Sequence, residues 1–310
     1  MTEGWRSRSA REMLRHQADR RTLAYMAVTS VLFFHLWQRG TFSAPLYGVY
    51  LFLSVAVAII AHNHNHLPVF RNAAANQFVD YWLTVFYGFP AFGWIPTHNK
   101  NHHVLNNRAG DYTITYRYTE ENHLFMLLAY PSVSSYFQQK PIRDYLAHLK
   151  ATDRAKYWAC ILQYAFLFIW IGVALAVDWR KALVYVVAPQ QFALFAVLVF
   201  NFVQHVHTDE ESPVNHSRNF VSPVLNALLF NNGYHTVHHD KAGTHWSRAR
   251  EAHEAVAHRI DPSLNEPSFW WYIARVYLLG AFVPRFRTQS MRLARLSASA
   301  APGTDAVPAE

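Results

Sequence analysis

The sequence predicts an all-α integral membrane protein, with four transmembrane helices in two hairpins and a cytosolic helical cap. Three observations predict this architecture. Of the 310 residues, 52% are hydrophobic, and they are gathered into blocks rather than spread along the chain. Four of these blocks contain no Asp, Glu, Lys or Arg. The chain also has 19 histidines against 20 Asp plus Glu, and many of them cluster just after the blocks.

The four uncharged blocks are the predicted membrane spans. They cover residues 22–38, 41–61, 157–177 and 182–204, which are 17, 21, 21 and 23 residues long. A bilayer core takes about 20 apolar residues as a helix, so three blocks are long enough and the first is borderline. The alternative is a soluble all-α protein with buried helices. Three blocks of spanning length disfavour it, because so much apolar helix is hard to bury in one soluble chain.

The links between the blocks predict the hairpins and their orientation. Only Arg39 and Gly40 separate the first two blocks, and residues 178–181 separate the last two. Arginines are concentrated before the first block, which places the N-terminus in the cytoplasm by the positive-inside rule. The six arginines are Arg6, Arg8, Arg11, Arg15, Arg20 and Arg21. Both termini and the segments 62–156 and 205–310 are then cytoplasmic.

Charge and composition divide the rest of the chain. Residues 1–21 form a basic cytosolic N-terminus, 261–296 a cytosolic C-terminal segment, and 297–310 a disordered tail rich in small residues. The stretch 124–130, ended by Pro131, is expected to lie at the membrane interface. The net charge of +8 suits either nucleic acid or an anionic membrane face, and the apolar blocks favour the membrane.

Histidine is the predicted metal ligand. The single cysteine, Cys160, excludes an intramolecular disulfide and a cysteine zinc site. In HNHNH, His62 and His66 are four residues apart, so they share one face of a helix, whereas His64 points elsewhere. In HNKNHH, His98 and His102 repeat that spacing, and the adjacent His103 can turn toward a second metal.

Two further clusters follow the second hairpin. His205 lies in QHVH at the end of the fourth block, with Asn201 four residues before it on the same face. HTVHH places three more histidines on one predicted helical face: His235, His238 and His239. The hairpins bring all four clusters to one membrane face, which favours a metal site over unrelated polar caps. Nine histidines exceed the six ligands of an octahedral ion, so two metals are implied.

The location of the site narrows its chemistry. Imidazole binds zinc, copper, iron and nickel, so the ligand type alone does not identify the metal. A site at the membrane surface, beside apolar helices, indicates a lipid chain as the substrate. The unactivated C–H bonds of such a chain require O2 chemistry, which indicates iron.

These motifs resemble the membrane-bound fatty acid desaturase and alkyl hydroxylase superfamily, the histidine-box di-iron enzymes. The resemblance covers roughly residues 22–260, which form a desaturase-like membrane domain. The family's three boxes match the histidines of HNHNH, HNKNHH and HTVHH, and its further histidine matches His205. The resemblance implies two irons held without a bridging carboxylate. It also implies that Asn201 contacts the metal through a water molecule.

The chain departs from the acyl desaturase pattern at several positions. HNKNHH has three residues before its HH, and with the GD at 110–111 it is also similar to alkane hydroxylases. His64 and His207 are extra histidines without a place in the family pattern. They remain candidate ligands or supporting residues, as do Asp111 and Asp240, which lie close to the boxes. Asp209, Glu210, His216 and His245 are further candidates for a supporting role.

The resemblance implies an O2-dependent reaction on a fatty acyl lipid. Introduction of a C=C bond is the first expectation. Hydroxylation of an alkane or fatty acyl chain and alkene-forming decarboxylation are the alternatives. Electrons are expected from a separate ferredoxin- or rubredoxin-type donor with its reductase. A membrane metal transporter is the alternative from another class, but it would place ionisable groups near mid-membrane, where these blocks have almost none.

Overall fold

The computed structural model describes residues 13–300, and its first half is built from long helices. The basic segment that precedes Met13 and the last ten residues of the predicted tail lie outside the described residues. The helices of this half are α1 (Arg20–Gln38), α2 (Ala44–His66), α3 (Ala73–Tyr87), α4 (π-helical Ile95–His102 and then His103–Leu105), α5 (Leu124–Thr152), α6 (Arg154–Ala182) and α7 (Ala188–His205). A π-helical stretch, Leu183–Val187, joins α6 to α7.

The second half consists of short elements that form a cap. These are β1 (Asn219–Phe220), α8 (Pro223–Leu228), α9 (His235–Asp240), α10 (Ala249–Val256), β2 (Asn265–Glu266), α11 (Phe269–Ile273, π-helical Ala274–Leu279 and Gly280–Phe282) and α12 (Met291–Ala300). The two strands are parallel, with Asn219 opposite Asn265 and Phe220 opposite Glu266. Single 3-10 turns cover Gln17–Asp19, Ala91–Gly93, Trp246–Arg248, Ala257–Arg259, Pro262–Leu264 and Pro284–Phe286.

Two helical stretches among the described residues are long and apolar enough to cross a membrane. They are Ala44–His66, of 23 residues, and Arg154–His205, of 52 residues. The first predicted span corresponds to α1, which is helical but does not belong to this set. The third and fourth predicted spans both fall within the 52-residue stretch.

That long stretch turns back on itself at Asp178. The backbone there is extended, with φ −157° and ψ 97°, and the carboxylate accepts the N–H groups of Arg180 and Lys181. On the two sides of the turn, Gln163 and Gln190 both reach neighbouring residues of α3, Thr84 and Val85. The two arms therefore lie side by side, as a hairpin requires.

The turns of the two hairpins meet at one end of the molecule. Lys181 Nζ donates a hydrogen bond of 2.6 Å to the carbonyl of Trp37, which lies at the end of α1. At the other end, α2 and α7 pack against each other and finish in histidines. The core between them contains small and aliphatic residues of α2, such as Val57 and Ala58, so the helices approach closely.

Helix α5 differs from its prediction. It continues from Leu124 to Thr152 through Pro131 and Pro141, so the expectation that Pro131 ends a short interfacial piece is wrong. A proline inside a helix removes one backbone hydrogen bond. Packing of α5 against α4, α6 and α7 offsets that loss.

Candidate metal centre

Nine histidine side chains from four separate segments meet beside the ends of α2 and α7. They form two groups, in each of which the candidate ligand atoms lie within 4.8 Å of one another. The five-histidine group contains His62, His66, His98, His103 and His238, and the four-histidine group contains His102, His205, His235 and His239. These are the nine residues that the sequence predicts as ligands, and within residues 13–300 neither group includes an Asp, Glu or Cys.

The winding of α4 decides how its histidines divide. Because Ile95–His102 is π-helical, residues five apart come onto one face, and His98 joins the five-histidine group with His103. His102 enters the other group. The expected pairing of His98 with His102 on one metal is therefore not the arrangement in the structure. In the α-helix α9, His238 joins the five-histidine group whereas His235 and His239 join the other, so the three do not share one ion site.

The five-histidine group contains a closed ring of four nitrogens. The Nε2 atom of His62 lies 2.9 Å from that of His98 and 2.9 Å from that of His238. The Nε2 atom of His103 lies 3.0 Å from each of the same two atoms. A neutral imidazole nitrogen carries either one proton or one lone pair, so hydrogen bonds can account for at most two of these four contacts. The Nε2 atom of His66 is buried without a hydrogen-bond partner among the described residues.

These distances fit ligands of one ion. Two nitrogens about 2.1 Å from a metal and at right angles are about 3.0 Å apart, whereas a tetrahedral angle separates them by about 3.4 Å. The four-histidine group has the same spacing: His205 Nε2 lies 3.1 Å from His102 Nε2 and 2.9 Å from His235 Nε2. His239 Nε2 lies 3.1 Å from His235 Nε2. Both groups therefore match ions with more than four ligands.

Burial keeps these rings neutral. It lowers the pKa of His98, His235, His238 and His239 well below the usual range, and the neighbouring histidines lower it further. A neutral imidazole has a free lone pair, which is the form that binds a metal. The electrostatics of the site thus suit metal binding at neutral pH.

Asp111 supports the four-histidine group directly. Its carboxylate lies 2.8 Å from His102 Nδ1 and accepts the backbone N–H groups of Asn107 and Thr113. Burial alone would raise its pKa, but His102 and the hydrogen bonds from Thr113 outweigh that effect and leave the pKa of Asp111 well below its usual range. An ionised carboxylate on Nδ1 orients the ring and directs the lone pair of Nε2 toward the group.

The other candidates contact different parts of the molecule. His64 accepts the N–H of Val69 and lies 3.4 Å from Asp80, so it belongs to neither histidine group. His207 has a left-handed backbone, with φ +61°, and its Nδ1 lies 2.8 Å from Thr288 Oγ1. Asp240 contacts His216 at 3.2 Å, and the ring of His216 lies beside that of His239.

The remaining acids pair with arginines rather than with histidines. Asp209 lies 2.7 Å from Arg295, and Glu210 lies 3.0 Å from Arg295 and 3.2 Å from Arg292. His245 contacts the buried carboxylate of Asp19 at 3.2 Å. The first pairs hold α12 against the segment that follows α7, and the last holds the N-terminal turn against the rest of the cap. Among the described residues, these side chains do not orient a ring of either histidine group.

A cavity of about 290 Å³ leads to both histidine groups. One face of α7 lines it along four turns, because the lining residues recur every three or four positions. On this face are Gln191, Leu194, Val197, Leu198, Asn201 and Gln204, and Phe200 also lines the cavity. His62, His98 and His235 line the same cavity. None of the described residues that line it is a Lys, Arg, Asp or Glu.

Tyr130 is a site residue that the sequence gives no signal for. Its buried hydroxyl accepts a hydrogen bond of 2.6 Å from the Asn201 amide and donates one of 2.6 Å to the carbonyl of Thr113. The Thr113 hydroxyl in turn contacts both His102 and Asp111. Tyr130 therefore connects the cavity wall to the four-histidine group. Its position in an apolar run before Pro131 shows no box spacing.

Comparison with known protein families gives a match over most of the chain. The family model for fatty acid desaturase matches residues 35–272, from within α1 to within α11. Searches of curated proteins and of solved structures each gave no significant match. The matched range is most of the chain and contains all nine histidines, which confirms the resemblance read from the histidine boxes. The chain belongs to the fatty acid desaturase family and is a desaturase-like oxidoreductase.

Proposed function

We propose that the protein is an O2-dependent di-iron enzyme of the membrane that introduces a C=C bond into a fatty acyl chain. The closed ring of four imidazole nitrogens carries the proposal. It lies at the end of a largely uncharged cavity, so a metal and a lipid chain would come together there.

Iron is the proposed metal in both histidine groups. Nitrogens 2.9–3.1 Å apart suit ligand angles near 90°, which favours five- or six-coordinate ions over tetrahedral zinc. The five-histidine group would hold one iron and the four-histidine group the other. When bound, the irons would supply O2 activation and hydrogen abstraction from a chain carbon.

The chain's own residues hold and align the substrate. Leu194, Val197 and Leu198 form an apolar wall along α7, and the ring of Trp94 lies 5.2 Å from that of His62. A fatty acyl chain held against this wall has one segment beside the histidines, and its exact position along the wall determines which carbons react. Asn201, at the histidine end of the wall, is placed to hold a water molecule, as the resemblance implies.

Two other outcomes use the same first step. Hydroxylation requires the same chain position and is the second candidate. Alkene-forming decarboxylation acts on a free carboxylate, which would need a cationic partner. The described residues that line the cavity include no Lys or Arg, so this outcome ranks third.

The proposal includes a topology and a partner. α1 and α2 form one membrane hairpin and the 52-residue stretch forms the other, so that four crossings leave the termini and the histidine groups in the cytoplasm. Residues 22–260 are the membrane domain, 261–296 the C-terminal segment and 297–310 the tail. A separate ferredoxin- or rubredoxin-type donor with its reductase supplies electrons at the cytoplasmic face. A metal transporter is disfavoured because within the two candidate spans the histidines lie at the ends.

Metal analysis of the purified protein tests the metal assignment. We expect two irons per chain, a loss of about one in the His238→Ala variant, and no turnover by that variant. His148→Ala is the matched control, because His148 is exposed on α5 and lies in neither group. The wild-type protein is purified under conditions in which related enzymes retain two irons. If it then contains no iron or only one, the di-iron proposal is refuted.

Lipid analysis tests the reaction. The gene is expressed in a host with a compatible electron donor, and the lipids are examined by mass spectrometry. New double bonds are expected, in the wild-type strain and not in the His238→Ala strain. New hydroxyl groups or terminal alkenes would instead assign one of the other outcomes.

A further inference from the structure

Helix α11 is apolar on two opposite faces. Its inner face is buried in the core and includes Phe269, Tyr272, Val276 and Tyr277. Its outer face is exposed among the described residues, and its large side chains are Trp270 (74% exposed), Trp271 (48%), Leu278 (54%), Leu279 (40%) and Phe282 (86%). A helix on a cytosolic surface normally has polar residues on its outer face, so this apolar outer face indicates contact with a partner.

The outer face of α11 also lacks charge. Arg275 is the single charged residue between Phe269 and Phe282. Its guanidinium is directed inward, where it pairs with the Glu266 carboxylate and lies 5.6 Å from the centroid of the Tyr272 ring. The charge in this helix therefore stabilises the cap and leaves the outer surface apolar.

A ring contact with α7 shows where α11 begins along the length of that helix. The ring of Phe269 stacks on that of Phe200, with centroids 4.5 Å apart. Phe200 lies five residues before His205, which ends the apolar stretch, or about 7.5 Å along the helix axis. The start of α11 is thus level with the histidine end of a candidate span. Arg285 and Arg287 follow the end of α11, and tryptophan and arginine are both typical of a membrane–water boundary.

We propose that the outer face of α11 lies in the headgroup layer of the cytoplasmic leaflet. Its partner is a phospholipid surface, whose anionic headgroups would attract the exposed side chains of Arg285 and Arg287. The segment 261–296 is then partly interfacial rather than wholly cytosolic. This inference rests on the membrane location in the proposed function and is independent of the reaction.

Spin labelling of the full-length protein tests the inference. In a Cys160→Ser background, Ala281→Cys carries a nitroxide on the outer face of α11. Ala255→Cys on α10 is the matched control, because both alanines are exposed and helical or next to a helix end in the cap. Ile169→Cys, exposed in the middle of α6, reports the span itself. The proteins are placed in nanodiscs of phosphatidylcholine and phosphatidylglycerol, and collision rates with O2 and with the nickel complex NiEDDA are measured.

The label at position 281 should collide severalfold more with O2 relative to NiEDDA than the label at 255. Equal exposure of both labels to NiEDDA would overturn the inference. Protection of position 281 from both reagents, with spin–spin broadening, would also overturn it, since a second copy would then cover the face. NiEDDA access at position 169 would show instead that the membrane location itself is wrong.

Discussion

His102 shows how much of the site depends on single side chains. One ring nitrogen lies 3.1 Å from His205 Nε2, and the other contacts the buried carboxylate of Asp111 at 2.8 Å. Such a carboxylate fixes the tautomer of the ring and makes it a better ligand. Asp111 was predicted as a supporting residue only from its nearness to HNKNHH in sequence. The structure supplies the contact.

We expect Asp111→Asn to weaken the four-histidine site. The amide keeps the shape but loses the charge that holds His102, and loss of such a partner typically lowers metal affinity or activity about 10- to 100-fold. Iron content and turnover of the purified variant measure the effect. Asp240→Asn is the control, because Asp240 contacts His216, which is outside both groups. Equal losses in both variants would contradict the role given to Asp111.

Tyr130→Phe should lower turnover without lowering iron content. The change removes a hydroxyl that accepts from the half-buried Asn201 amide and donates to the buried Thr113 carbonyl, so it leaves that carbonyl without this donor. An unsatisfied buried polar group costs about 1–3 kcal/mol, so a lower Tm is expected as well. Tyr136→Phe, at an exposed position of the same helix, is the control. Unchanged kcat and Tm in Tyr130→Phe would show that the connection is unimportant.

At the scale of elements, α4 divides its histidines between the two groups, and the N-terminal turn joins the start of α1 to the cap. The π-helical winding of α4 sends His98 and His103 to one group and His102 to the other. The turn Gln17–Asp19 packs against the turn Trp246–Arg248, where Asp19 accepts hydrogen bonds from Trp246 and Thr22 and contacts His245. These contacts hold the start of α1 against the cap.

Asp19→Asn should destabilise the protein at neutral pH and less so in acid. Burial acts to raise the pKa of Asp19, but hydrogen bonds from His245 and Trp246 outweigh it, so the net pKa lies below the ordinary value of 3.8. A lowered folded-state pKa stabilises the fold above pH 3.8, and this stabilisation is lost as the pH falls through the folded-state value. We expect a loss of about 1–3 kcal/mol at pH 7.

Thermal unfolding at pH 7 and near pH 3.5 measures this difference against the wild type at the same pH. Asp144→Asn serves as the control, since Asp144 pairs with Lys140 on an exposed surface and such pairs contribute little. A difference between Asp19→Asn and wild type that stays constant down to the lower pH would contradict the assignment.

At the scale of the whole molecule, the two histidine groups connect segments that are distant in sequence. His62 lies 176 residues from His238, and His102 lies 103 residues from His205, yet each pair is in contact. Metal ions in both groups would therefore link the first hairpin, α4, the second hairpin and the cap. Binding free energy at such a site adds to the stability of the fold.

Removal of iron should lower the Tm of the whole protein. A ligand present at 1,000 times its Kd stabilises the native state by about 4 kcal/mol, so a chelator is expected to shift the transition by several degrees. His148→Ala should respond like the wild type, and His238→Ala should respond less because part of its metal is already absent. Differential scanning fluorimetry before and after chelation measures the shifts. Identical curves for wild type with and without chelator would contradict metal-linked stability.

The sequence by itself determined the family and the helical character, and it identified the nine histidines that come together as candidate metal ligands. Each follows from local information, because apolar blocks predict helices and a box is a spacing between neighbours. The family match confirms the predicted family. The number of membrane crossings is less local. Among the described residues, α2 and the 52-residue stretch have the length and apolarity of spans, and α1 does not.

The tertiary structure alone decided how the histidines divide and which side chains support them. Helical spacing predicted His98 with His102 and grouped His238 with its neighbours, but π-helical winding and approach from two sides separated both sets. Local sequence patterns do not predict the contacts of Tyr130, His64 and His207 either. The partner of Tyr130 lies 71 residues away and that of His207 lies 81 residues away. The partner of His64, Asp80, is nearer in sequence, but it lies on another helix, and only the packing of α2 against α3 brings the two side chains together.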